Sequence, residues 1–153
     1  MAARAGATGV VMVMLAGLTL AGCKRSTAMT PAAATQITGG IPQRGALAIR
    51  QYGCGTCHTI PGIPGATGTQ GPKLEEGTNA PTRIKDPAYK GTAHSTPEYI
   101  MESVVSPSTY VVKGFPDNLM PKVFGQKLSA GALKKIVDYL SQVKAGAPPP
   151  KIS

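Results

Sequence analysis

Apolar positions recur at helical spacing in three stretches of the chain and run together without a break in a fourth. The last stretch is the clearest: Leu133, Ile136, Val137 and Leu140 fall three and four apart, with Lys134 and Lys135 on the other face. Ser129 stands where a capping residue belongs, and Gly146 with Pro148–Pro150 closes the run. A middle helix is expected to open at Thr96-Pro97-Glu98, with Thr96 as cap and Pro97 at the first helical position, and to continue through Val105. Tyr99, Ile100, Ser103 and Val104 include its apolar face, and Ser106-Pro107 ends it. A first helix is expected from Pro42 or Arg44 to about Tyr52, carried by Ala46, Leu47, Ala48 and Ile49. Residues 60–89 are rich in Gly and Pro and read as loops, and no segment alternates well enough to be a strand. The pattern predicts a small all-α domain over residues 41–143, followed by a Pro-rich disordered tail at 144–153.

The unbroken run is residues 10–20 (VVMVMLAGLTL), 11 residues behind the single positive charge of Arg4. It is short for a membrane span, which needs about 20 residues, and suits a targeting segment. Leu20-Ala21-Gly22-Cys23 resembles the lipobox of bacterial lipoproteins, in which the signal peptide is cut before a cysteine whose thiol is then acylated. An ordinary signal peptide cut a little later, or an uncleaved anchor helix, are the other readings. The lipobox reading makes residues 1–22 a signal peptide, Cys23 the lipid attachment site and residues 23–40 a flexible tether of small polar residues. The 17 residues of 24–40 would reach about 20–25 Å, taking roughly 5–6 Å times the square root of length.

Charge and composition narrow the partners. Removing Arg4 from the 16 basic residues leaves 15 against 7 acidic ones. So basic a surface suits nucleic acid, an anionic membrane or an acidic protein, and export takes nucleic acid off that list. With no Trp, 2 Phe and 5 Tyr, the chain is poorly supplied to fill a core by itself. A large apolar prosthetic group would supply the missing volume. Three cysteines are an odd number, so a simple disulfide framework would leave one over.

Cys54-Gly55-Thr56-Cys57-His58 accounts for the other two thiols. C-x-x-C-H is the attachment signature of c-type haem. One helical turn puts two thiols three apart on one face, where they can form thioethers with the two vinyl groups of one porphyrin. The histidine that follows can offer Nε2 to the iron. A thioredoxin-like redox pair would expect a preceding strand, and a zinc site a second pair of ligands, for which only His94 remains.

Around this motif, residues 44–143 resemble the class I cytochrome c family. Gly45 and Tyr52 look like the family's first-helix residues, which pack against an aromatic of the last helix, here Tyr139. Gly71-Pro72-Lys73-Leu74 looks like its G-P-x-L, in which the proline carbonyl accepts Nδ1–H of the proximal histidine. The resemblance thus implies a class I cytochrome c fold, about three to four helices around one covalently bound haem c. Cys54 and Cys57 would carry the haem, His58 would be an axial ligand and Pro72 its hydrogen-bond partner. For the sixth position, Met120 in Asn118-Leu119-Met120-Pro121 stands on a loop before the last helix, where the family has its axial Met-Pro. Met29 falls in the tether, Met101 in the middle helix, and His94 is the other candidate.

A thioether favours ferrous iron and, opposite His58, would raise the reduction potential and close the iron to small molecules. The expected function is therefore electron transfer between redox protein partners of a respiratory chain, with no small-molecule substrate and no enzymatic activity of its own. The chain would be held by lipid in the bacterial cell envelope. The segment 97–140 resembles cytochrome c domains of haem–copper oxidases and the lipoprotein haem c subunits of a quinol-oxidising complex, so a place inside such a complex is a further expectation. An open distal site would instead make a haem-based sensor or peroxidase. Lys73, Lys90, Lys113, Lys122, Lys127, Lys134 and Lys135 are candidates for a docking face, or simply solvated charges.

Overall fold

A computed structural model describes residues 42–152. Residues 1–22, read as a signal peptide, Cys23, the segment 23–40 read as a tether, and Met29 lie outside them. The described residues are helical and contain no strand; Thr59 and Thr67 meet in one isolated antiparallel bridge. Four helices have eight residues or more: α1 Pro42–Gln51, α3 Glu76–Arg83, α4 Thr96–Val105 and α6 Ala130–Gln142. Two single turns, α2 Cys54–Cys57 and α5 Phe124–Lys127, and a 3-10 turn at Pro107–Thr109 complete the set.

The first and last helices form the frame. Gly45, Ala46, Ala48 and Ile49 make one buried face of α1, which leaves Leu47 pointing outward at 58% exposure. Their small side chains let α1 approach α6 closely. A Cβ on Gly45 would sit 2.5 Å from Tyr139 Cβ and 2.6 Å from the Lys135 carbonyl, so only glycine fits this crossing. Ile49, Ile60, Ile100, Ile136, Tyr139 and Val143 are the largest side chains sealed in the main core. Tyr139 carries its hydroxyl into that core and donates it to the Pro61 carbonyl at 3.0 Å, which satisfies the polar end.

Helix α6 begins as its sequence predicts, with Ser129 Oγ accepting from Ala132 N–H at 3.1 Å. The cap of helix α4 lies one residue before the expected one. Ser95, not Thr96, is the N-cap: its Oγ accepts from Glu98 N–H, while the Glu98 carboxylate accepts from His94 N–H at 2.8 Å. Ser95 and Glu98 thus form a variant of the capping box, with the carboxylate reaching the residue before the cap, and it takes precedence over a cap at Thr96 because both ends find partners.

Two expectations need correction. The Gly- and Pro-rich stretch read as loops contains α3, whose sequence EGTNAPTR has Pro81 inside it and buries only Glu76 and Ala80. Tertiary contacts hold it: Gly77 N–H donates to the Val143 carbonyl at 2.9 Å, and Arg83 pairs with Glu76. The tail read as disordered lies against the domain. Pro149 sits over Gly62, and Ile152 packs on the main core, because these apolar side chains find an apolar surface to cover.

Candidate functional site

Between α2, α4, α6 and the loop after the 3-10 turn lies a cavity of about 260 Å³. Protein interiors of this size rarely leave voids larger than a few waters. Apolar side chains such as Ile100, Leu140, Val112 and Phe115 form most of its wall, and Cys54, Cys57, His58, Pro72 and Met120 all line it. Of the alternative ligands, neither Met101 nor His94 lines it. Met101 packs on the main core and His94 is exposed.

The local chain explains why the motif faces inward. Gly53 takes φ 71°, a left-handed turn that ends α1 and aims the next turn toward the cavity. Cys54–Cys57 is one helical turn, and His58, already extended at φ −113° and ψ 137°, leaves it. The segment that follows is pinned back on the motif: Gly71 N–H donates to the Cys57 carbonyl at 2.8 Å and Leu74 N–H to the Thr59 carbonyl at 3.0 Å. Thr59 Oγ1 donates to the Gly68 carbonyl at 2.9 Å. These bonds bring the Pro72 carbonyl to 2.7 Å from His58 Nδ1. Donation from Nδ1–H fixes the tautomer with its lone pair on Nε2. Gly71 lies flat against the ring, since a Cβ there would come within 2.4 Å of Cε1 and 2.7 Å of Nδ1.

Electrostatics favour neutral ligating forms. Burial lowers the His58 pKa, the bond to Pro72 opposes it, and the Arg83 charge lowers it further. Burial pushes the Cys54 thiol up, with a smaller push from Cys57. A thioredoxin-like pair needs the opposite, a thiol with a depressed pKa. Both thiols are free of disulfide bonding.

The polar part of the wall is one that periodicity missed. Glu76, 3% exposed, accepts from Arg83 at 2.9 and 3.2 Å, and Tyr99 beside them is also buried and lines the cavity. Tyr99 belongs to a three-ring cluster with Tyr89 and Tyr110, centroids 5.8–6.4 Å apart. Tyr110 donates to Asp86 at 2.6 Å and Tyr89 to Glu102. The Tyr110 pKa is pushed up to about 12, first by Asp86 and then by burial. No sequence signal marks this group, because the glutamate and arginine stand seven apart in a stretch without apolar periodicity.

No lysine among the described residues lines the cavity. Three of the seven candidates are paired: Lys73 with Glu75 at 2.7 Å, Lys122 with Asp117 at 3.5 Å, and Lys134 with Asp138. At the rim, Val111 and Leu119 are 37% and 47% exposed, beside the exposed Gln70 and Asp117, so the edge of the cavity that reaches solvent is apolar in part. No helix among the described residues is long and apolar enough to cross a membrane. Comparison with protein-family models, with curated proteins and with solved structures finds no match.

Proposed function

We propose that this chain is a lipid-tethered, single-haem c-type cytochrome that carries electrons, with a class I cytochrome c fold. The observation that carries the reading is the His58 ring in a large apolar cavity, its Nδ1 bonded to Pro72, beside two free thiols and with Met120 also on the wall. The residues fit the group. Cys54 and Cys57 would hold a haem covalently, and His58 and Met120 would bind its iron, which supplies a one-electron redox centre.

The chain does the rest. The Pro72 carbonyl orients His58 and makes it a stronger donor. Gly71 leaves room for the ring, and the bonds from Gly71 and Leu74 fix the loop against the motif. Ile100, Leu140 and their neighbours exclude water, so little solvent has to reorganise when charge arrives. Val111 and Leu119 give an apolar edge, with Lys122 close by in sequence to steer an acidic redox partner of a respiratory chain. Acylation at Cys23 would keep that encounter at the membrane of the cell envelope.

An absorption spectrum of the purified protein tests this reading. A low-spin spectrum with a sulfur-to-iron charge-transfer band is expected in the oxidised form. A five-coordinate high-spin spectrum would move the function to the sensor or peroxidase class.

A further inference from the structure

We infer, on the reading that the cavity holds a haem, that Glu76 is a redox-linked proton acceptor, taking one proton from water as one electron enters the domain. Glu76 is the buried charged residue of the described chain, at 3% exposure, and its side chain stands in the cavity wall. A carboxylate sealed there has lost the hydration that makes ionisation favourable, and Arg83 supplies its compensation. Burial raises the Glu76 pKa, while Arg83 and then Asn79 hold it down. Burial and the Arg83 ion pair, at 2.9 and 3.2 Å, thus pull the group toward opposite protonation states.

The same cation shares the cavity wall with the candidate iron ligand His58, whose pKa the Arg83 charge lowers. Negative charge added at His58 competes with Glu76 for Arg83, and a proton on Glu76 removes that conflict. Among the described residues, Arg83 is the ionised side chain that bonds to Glu76. On α3 the groups facing Glu76 are Arg83 and Asn79. On α4 they are the neutral Tyr99 hydroxyl, itself held between Arg83 and Ser103. On α6 the cavity wall is Ile136 and Leu140, and past its end the Lys144 stem lies against Gly77. Glu75 next to it is committed to Lys73.

The balance is one electron and one proton. A one-electron donor protein is oxidised, the iron site gains the electron, and water supplies the proton to Glu76. On reoxidation by a one-electron acceptor both leave. An ion pair with only a structural role would stay charged in both states and contribute nothing to the pH dependence of the potential.

The test is spectroelectrochemical titration of the full-length holoprotein across pH, preceded by a denaturing gel stained for covalent haem. Within a window the potential should fall with rising pH by up to tenfold in the reduction equilibrium per unit, about 59 mV for one electron. Glu76→Gln should remove that window, and Arg83→Lys, with its compact charge on a flexible stem, should move it to higher pH. In the wild type, the reduced-minus-oxidised infrared spectrum should gain a protonated-carboxyl band, which Glu76→Asp shifts in frequency. That band keeps the inference open to refutation even where Glu76→Gln does not load haem. Absence of covalent haem would overturn the reading of the cavity and the inference with it. Covalent haem with a flat potential, a window unchanged in Glu76→Gln, or a band unmoved in Glu76→Asp would overturn the inference alone.

Discussion

Gly71→Ala adds one methyl group directly against the His58 ring. The new Cβ would stand 2.4 Å from Cε1, 2.7 Å from Nδ1 and 3.0 Å from Nε2. Carbon contacts settle at about 3.5–4.0 Å, so the ring has to retreat by roughly 1 Å. The Nδ1 bond to Pro72, 2.7 Å long, would then exceed the hydrogen-bonding range. Overpacking costs about 1–3 kcal/mol and the lost bond about 0.5–1.5 kcal/mol, together about 1.5–4.5 kcal/mol. Gly71 has no left-handed φ, so alanine brings no backbone strain and the effect isolates the contact. Gly131, in the first turn of α6 with open space around it, is the control. Gly131→Ala should be neutral or stabilise by up to about 1 kcal/mol. Urea unfolding of the holoprotein reads both, followed by far-UV dichroism and by the haem absorption. Gly71→Ala should lower the midpoint at constant m and weaken the low-spin spectrum. An unchanged midpoint and spectrum in Gly71→Ala would refute the packing of His58 against this glycine.

Met120→Ala should abolish the sulfur-to-iron charge-transfer band and lower the potential, because a soft ligand favouring the ferrous state is gone; Met101→Leu should do neither, and the reverse outcome would exchange their roles. The raised Glu76 pKa gives stability that is full below the ordinary carboxylate value and is lost as pH rises through the raised one. Urea unfolding of wild type and Glu76→Gln should therefore diverge with rising pH in that window, to the disadvantage of wild type, and parallel curves would contradict the burial. Cys23→Ser should leave the protein soluble or held as precursor, measured by membrane fractionation; retention with normal processing would remove the lipid anchor.

Which parts of the molecule could be read in advance follows from where their stability originates. Helix α6 carries its own cap and its own apolar stripe, so Ser129 and Leu133 to Leu140 mark it without help from the rest of the chain. Helix α3 has neither. Its bond to Val143 and its Glu76–Arg83 pair connect positions that no local rule joins, and an internal proline argues against it. The tail misleads for a related reason. Proline-rich composition describes how the segment behaves alone, whereas Ile152 responds to a surface that exists only after folding. The site divides the same way. Cys54, Cys57 and His58 fall within five consecutive positions whose spacing is the chemistry, while Pro72 comes through a family resemblance and the geometry then puts its carbonyl on Nδ1. Glu76, Arg83 and Tyr99 reach one wall only through the packing of α3 on α4, and no spacing announces it.

The central claim is that Cys54 and Cys57 hold a haem in this cavity, and covalent attachment is the property that tests it most directly. The full chain, produced in a host that exports it and matures c-type cytochromes, is boiled in denaturant with reductant, run on a gel stained for haem, and weighed intact. One haem per chain should survive, because thioether bonds outlast unfolding, and Cys54→Ala with Cys57→Ala should lose both the stain and the added mass. A wild-type chain that carries no haem mass under those conditions, or a double variant that keeps it, would contradict the account.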